Sequence, residues 1–355
     1  MLPFAHPLHF CLVTLCLSWS SLCIASPQPD SNEQPIQLAP KPRWVNVEIT
    51  NPQKHSFDLW YVGPGPAEKL GNYQSDNLNL QLAEGKYLAR DLTSKFSMPI
   101  PAIASAVGKT TLRVEVGAAA KVDNGYVRIP AGPALIGDEI GVGAGDERLS
   151  IQYLRDYWIG KYEVTNGQYV EFLNDVKRCD ADWLDLGSRK CRIKKLTEET
   201  FSTDEEKQPV VMISLAGAQA YCQWMTEKTG QKHRLPTEVE WEKAARGPNS
   251  SVYAYGDRYI EGLANQESGS IGDVGKFRPS PWGLYDMTGN VFEWMSNRYD
   301  AKQPDKVMNQ SLRGGSYVLD GMYLRNSFRM RQSPSVMTDD IGFRVLREVN
   351  QDESE

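Results

Sequence analysis

The sequence is poor in histidine and, once a leader is set aside, in cysteine. Four histidines occur in 355 residues, and two of them, His6 and His9, lie in the first ten. A catalytic zinc or iron centre draws on two or three imidazoles. His55 and His233 alone therefore nearly exclude a His-built metal site, and a Ser-His-Asp triad would have to use one of these two. An excess of basic charge is also missing: 39 Lys and Arg stand against 45 Asp and Glu, a net charge of −6. This argues against a nucleic-acid binder, whose affinity comes from clustered Lys and Arg. After the N-terminus no apolar run approaches the ~20 residues of a membrane-spanning helix, so the mature chain is expected to be soluble.

The one long apolar run, Phe10 to Ala25, is too short to span comfortably. It ends in Cys23-Ile24-Ala25, with small residues at −3 and −1 of a cut before Ser26. Such a segment reads as a secretory signal peptide over residues 1–25, although its start carries no Lys or Arg. Ser20-Ser21-Leu22 before Cys23 makes a poor lipidation box. Export to the periplasm is expected. Removing the leader leaves Cys179, Cys191 and Cys222. The first two flank a short polar stretch; in an oxidising compartment they either staple that loop, worth roughly 3 kcal/mol, or remain two neighbouring free thiols. Cys222 sits in a helical pattern with no base near it in sequence, as a small buried hydrophobe does.

Residues 26–41, rich in Pro, Gln, Ser and Asn, read as a linker. Period-two alternation follows at Val45, Val47 and Ile49, then Phe57, Leu59 and Tyr61, then Leu78, Leu80 and Leu82, then Leu112, Val114 and Val116, with Gly and Pro between the runs. Half-buried strands with turn signals between them predict a small all-β sandwich over residues 42–117. A different region runs from 122 to 348. Thr165 with Gln168 and Thr237 with Glu240 form capping boxes that open helices. Leu215 to Lys228 is a further helix with Ala218, Tyr221, Cys222 and Met225 on one face. Gly247 stops the Thr237 helix. Loops and short strands follow, of the kind that a bound ion or dense polar networks hold in place.

Six motifs now bear on identity: Ile129-Pro130-Ala131-Gly132, Tyr162-Glu163-Val164-Thr165-Asn166, Arg234 to Glu242, Trp282 to Trp294, Arg313-Gly314-Gly315-Ser316 and Ile341-Gly342-Phe343-Arg344. In this order they resemble the formylglycine-generating enzyme (sulfatase-modifying factor) domain. The resemblance implies an α+β, low-regularity, C-type-lectin-like fold, with the β-sandwich lying outside the family's core. It also implies an activity that this chain departs from. The family's enzymes oxidise a substrate cysteine with two cysteines, copper and oxygen, and those cysteines follow the Arg-Gly-Gly-Ser motif. Here Leu319 and Leu324 stand in their place. A leucine offers neither a copper ligand nor a thiolate for the mixed disulfide, and the histidine count removes a His-built iron, so no catalytic residue, no copper and no His-bound iron are expected.

The resemblance further implies a calcium ion held by the Asp286 and Glu293 carboxylates and the Gly289 and Val291 carbonyls, hard oxygens of the type Ca²⁺ prefers. The alternative is that Asp286 and Glu293 cap turns or pair with arginines. A second calcium site is eroded: Asn265 and Gln266 correspond to two ligands, but the acidic loop is shortened to Ser268–Asp273. Arg325, Arg329, Arg331 and Arg344 either satisfy loop carbonyls and buried carboxylates or floor a groove lined by Trp282, Trp294, Tyr317 and Tyr323.

A member without its redox thiols reads as a non-catalytic periplasmic binding or regulatory protein. It resembles the family's activators of the membrane threonine kinase that controls type VI secretion. The alternative is a cysteine-independent periplasmic oxidoreductase of the pyoverdine-maturation type. The expected partner is a periplasmic or extracellular protein domain, docked on Tyr317, Leu319, Met322, Tyr323 and Arg325. A competing reading has Leu319 and Leu324 merely filling the space of the lost cysteines.

Overall fold

The computed structural model describes residues 43–63, 66–93, 97–103, 111–115, 122–123, 125–138, 148–302 and 309–350. The leader and linker, residues 1–41, lie outside the described residues, as does Val116 of the expected fourth strand. Alternation in the first region builds two sheets. One has the order Asn77–Ala83, Trp44–Thr50, Leu112–Glu115; the other runs Glu68–Tyr73, Phe57–Tyr61, Gly85–Asp91, Ser97–Ala102. The chain passes from the first sheet to the second at the single residue Glu84. Ser97–Ala102 holds Pro99 and Pro101, which lack a ladder N–H, and accordingly lies at a sheet edge.

Val45, Val47, Ile49, Phe57, Leu59, Met98, Ile100 and Val114 turn inward and are almost fully buried. They do not close a separate core. Val127, Ile129, Tyr157, Ile159 and Trp241 from the following region join the same apolar cluster. Residues 42–355 accordingly form one compact unit.

Among the described residues, beyond these two sheets lie a five-stranded sheet, a four-stranded sheet, two two-stranded sheets and three α-helices. The five-stranded sheet carries Tyr126–Ile129, Tyr157–Gly160 and Leu346–Glu348 side by side, so the last of the described strands pairs with an early one. The four-stranded sheet is built on Phe292–Arg298 and Gln310–Arg313. Helix α1, Asn166–Val176, opens on the Thr165/Gln168 capping box, with both reciprocal bonds formed. Helix α2, Leu215–Thr229, opens on Ser214 and ends at Gly230 in the left-handed region. Helix α3, Glu238–Arg246, has the Thr237/Glu240 box and stops at Gly247. Each such cap is worth about 1 kcal/mol.

Helix α3 departs from a surface helix. Its charged residues Glu238, Glu242, Lys243 and Arg246 are as buried as Trp241 and Ala244. Buried charge is costly unless paired, and here each has partners. Arg313, fully buried, reaches Glu238 at 3.2 Å and Glu242 at 3.0 Å and donates to the Asn326 and Ser327 carbonyls. Arg246 donates to Glu242, and Arg329 meets both Glu238 oxygens at 2.7 Å. Although burial acts upward, the Arg313 and Arg329 charges hold the Glu238 carboxyl below its ordinary value. Lys243 donates to the Pro130 and Gly132 carbonyls, tying that early motif to the helix, while burial brings its ammonium down to about 7.

Candidate functional site

The segment Asp286 to Glu293 wraps tightly. Asp286, Gly289 and Asn290 all have positive φ. Gly289 is required twice: a Cβ there would stand 2.3 Å from the Asn265 carbonyl, at a φ of +80°. Asn290 is the hub of the wrap. Its side-chain oxygen accepts from Asn265 Nδ2 and the Gly272 amide, and its Nδ2 donates to Glu163 Oε1 at 3.0 Å. Its own amide donates to the Asn265 carbonyl, and its carbonyl accepts from Tyr317 N–H. Asn265, read from the resemblance as a remnant of a second calcium site, is spent on this amide network and on the Ser270 carbonyl.

Asp286 and Glu293 are both buried and belong to one charged cluster. The Glu293 carboxylate accepts from Arg344 Nε at 2.9 and 2.7 Å, from Arg344 Nη2 at 2.7 Å and from Trp241 Nε1 at 2.8 Å. Those bonds occupy both of its oxygens. In this structure the arginine partner expected as the alternative to calcium is the partner that Glu293 has. Asp286 accepts from the Gly275 amide at 2.7 Å. The third member is Glu163, which no sequence reading singled out as a site residue. It is 1% exposed; its Oε2 receives no N–H or O–H donor among the described residues, and its carboxyl lies against that of Asp286, close enough to share a proton.

Three carboxylates thus face the single Arg344 guanidinium. Burial first, then the Asp286 charge, hold Glu163 well above the usual carboxylate range; burial also raises Asp286. Two negative charges in excess of the cation must be neutralised by protons or by a bound cation. The donors suit a hard divalent ion: a carboxyl oxygen that no N–H donor occupies, a second carboxylate beside it and a polar loop. The set differs from the expected one, with Glu163 beside Asp286 and with Glu293 committed to Arg344. Among the described residues no group of three or more His, Cys, Asp or Glu is arranged ready to hold a metal. Main-chain oxygens would have to complete any coordination.

Arg325, Arg329 and Arg344 satisfy protein groups, whereas Arg331 is exposed. Arg344 holds Glu293 and donates to the Gly160 and Tyr285 carbonyls, and Arg329 holds Glu238. Trp282 and Trp294 are core. Tyr317 is 6% exposed, with its hydroxyl donating to Asp339 at 3.1 Å. Arg325 is 2% exposed, donates to the Met322 carbonyl and faces Asp138 at 3.6 Å. Tyr317 and Arg325 therefore do not rim an open surface.

At the two positions of the family's thiols the outcome is split. Leu324 is fully buried with Val252 and Tyr253, against Gly315; it fills the space. Leu319 is partly buried over two apolar clusters. Met322 and Tyr323, with Val318, are exposed at 52%, 42% and 52%.

Cys179, Cys191 and Cys222 are free thiols in this structure. Cys179 and Cys191 are half-buried against the same apolar cluster. Burial pushes Cys179 up to about 11 and Cys222 higher still, so neither is an activated nucleophile.

The fold and these motifs define a formylglycine-generating-type domain, and the chain belongs to the sulfatase-modifying factor enzyme 1-like domain family, whose model matches residues 114–349. Its relatives include the serine/threonine-protein kinase pkn1 of Chlamydia pneumoniae, 28% identical over 214 residues, covering 56% of this chain and 34% of the kinase. The inactive C-alpha-formylglycine-generating enzyme 2 of Bos taurus is 35% identical over 156 residues, 38% of this chain and 49% of that protein. The chain thus spans less than half the length of either. Among solved structures, PvdO from Pseudomonas aeruginosa superposes with a TM-score of 0.51 at 28% identity, covering 63% of this chain and 94% of that one. No helix among the described residues is long and apolar enough to cross a membrane.

Proposed function

We propose that this chain is a non-catalytic, exported regulatory protein that uses a formylglycine-type scaffold to dock another protein in the periplasm. The observation carrying this reading is the loss of both reactive thiols. Leucines occupy positions 319 and 324, and the second is fully buried. The remaining cysteines all lie at or before position 222. The partner in this reading is the extracytoplasmic domain of a membrane threonine kinase that controls type VI secretion. The likeness to a protein named as a Ser/Thr kinase and to one named as inactive supports it. Calcium at Asp286 and Glu163, and a Cys179–Cys191 staple formed on oxidation, belong to the same proposal.

Cross-linking of the exported protein in its own cells, read by mass spectrometry, should recover a membrane Ser/Thr kinase. Deleting the gene should remove that kinase's threonine phosphorylation, and a wild-type copy should restore it. Unchanged phosphorylation in the deletion strain would sink the kinase assignment. The second reading, a cysteine-independent oxidoreductase, is favoured by the 28% identity to PvdO over nearly all of that chain. It predicts that the purified protein and oxygen remove two hydrogens from a siderophore-type precursor.

A further inference from the structure

Among the described residues nine large hydrophobic side chains are exposed, and five of them fall on two loops: Tyr259, Ile260, Val318, Met322 and Tyr323. The loops are about sixty residues apart in sequence yet touch. The Tyr259 ring lies on the Gly321 backbone so closely that a Cβ at Gly321 would stand 2.3 Å from Tyr259 Cδ2. From below, Tyr253 donates to the Gly321 carbonyl at 3.0 Å, and its ring lies 6.0 Å from that of Tyr259. Asp320 caps the short 3₁₀ turn Gly321–Leu324 by accepting from Met322 N–H, and the buried Leu324 pins its far end. The apolar side chains are thus held out from a fixed base rather than on a loose loop, which lowers the ordering cost of binding.

The rim of this patch is acidic. Glu267, Glu261 and Asp320 are exposed and are the charges acting on the Tyr259 hydroxyl. Asp257 lies on the same loop, bridged to Lys86 at 3.3 Å, and Arg258 is the loop's exposed cation. An apolar centre with a charged rim is the anatomy of a docking site, and the sign of the rim selects the partner. We propose that this patch binds a protein segment whose apolar or aromatic anchor is flanked by lysine or arginine. The inference rests on the docking reading above but not on the kinase assignment.

The test uses the full exported chain and two fluorescent peptides, each with a central Trp-Leu-Phe: one flanked by two lysines on each side, the other by two glutamates. Anisotropy should show saturable binding of the cationic peptide below 1 mM and at least roughly tenfold weaker binding of the anionic one. Val318→Ser with Met322→Ser should weaken the cationic peptide roughly tenfold. Glu261→Lys with Glu267→Lys should reverse the charge preference, and Gly321→Ala, which wedges Tyr259 away, should reproduce the loss. The exposed positions predict melting temperatures close to that of the wild type. Equal binding of both peptides, no binding of either, or binding untouched by the folded double variants would overturn the patch. A partner recovered by cross-linking from cells carrying Val318→Ser/Met322→Ser as well as from wild-type cells would leave the docking function standing and move it to another face.

Discussion

Replacing Arg313 with methionine should lower the melting temperature by on the order of 10 °C. Arg313 is 1% exposed and, among the described residues, joins Glu238, Glu242 and the carbonyls of residues 326 and 327. Removing one partner of a buried ion pair costs about 3–5 kcal/mol, because the carboxylates left behind are neither solvated nor fully compensated. For a chain of this size that converts at roughly 3 °C per kcal/mol. Arg246 continues to hold one oxygen of Glu242 and Arg329 both oxygens of Glu238, which keeps the loss finite. Lysine is no substitute, since it cannot present the guanidinium fork that spans both carboxylates. Arg331→Met is the control: Arg331 is exposed and lies 5.9 Å from the Tyr299 ring, and its loss should change stability by less than about 0.5 kcal/mol. Equal effects of the two substitutions, measured by calorimetry, would show that the buried network does not hold the loops.

The second large effect changes sign with calcium. In EDTA, Glu163 and Asp286 are buried carboxyls whose folded values are raised above their ordinary 4.5 and 3.8. The folded state then binds more protons than the unfolded one. Stability from these groups is fully present below the unfolded values and is lost as pH rises through the folded values. Glu163→Gln keeps an acceptor for Asn290 and removes one buried charge. In EDTA at pH 7.5 it should raise the melting temperature by about 3 °C or more and flatten the pH dependence. With millimolar Ca²⁺ the wild type gains stability by mass action. The variant lacks that gain and should melt below the wild type. A wild type insensitive to both EDTA and Ca²⁺, with Glu163→Gln destabilising in each, would contradict a cation site at this cluster.

Parts of this architecture were legible because they are local. The boxes of Thr165 with Gln168 and Thr237 with Glu240 involve residues three apart, and both form as read. The strands with clean alternation were legible too. Glu68–Tyr73 and Ser97–Ala102 were not: the first is mostly polar and exposed, and the second carries two prolines that only an edge position tolerates. Helix α3 misleads for a different reason. Periodicity assigns charge to the surface, whereas Glu238, Glu242, Lys243 and Arg246 are buried because partners arrive from distant segments. The same holds at the site. Asp286 to Glu293 could be read as a motif, but Asn290 meets Glu163 across 127 residues and Glu293 meets Arg344 across 51. Tyr259 and Ile260 carried no signal at all, since only the bare Gly321 backbone lets their loop close on the 318–323 turn.

In the proposed function this formylglycine-type domain has exchanged redox chemistry for binding. The most direct test of that exchange is incubation of the purified protein with copper, a thiol reductant, oxygen and a cysteine peptide bearing a sulfatase motif. The cysteine's mass is then followed by mass spectrometry. With Leu319 and Leu324 in the thiol positions, the peptide should remain unchanged beyond the no-protein control. Conversion of the cysteine to formylglycine, copper-dependent and above that control, would contradict the account.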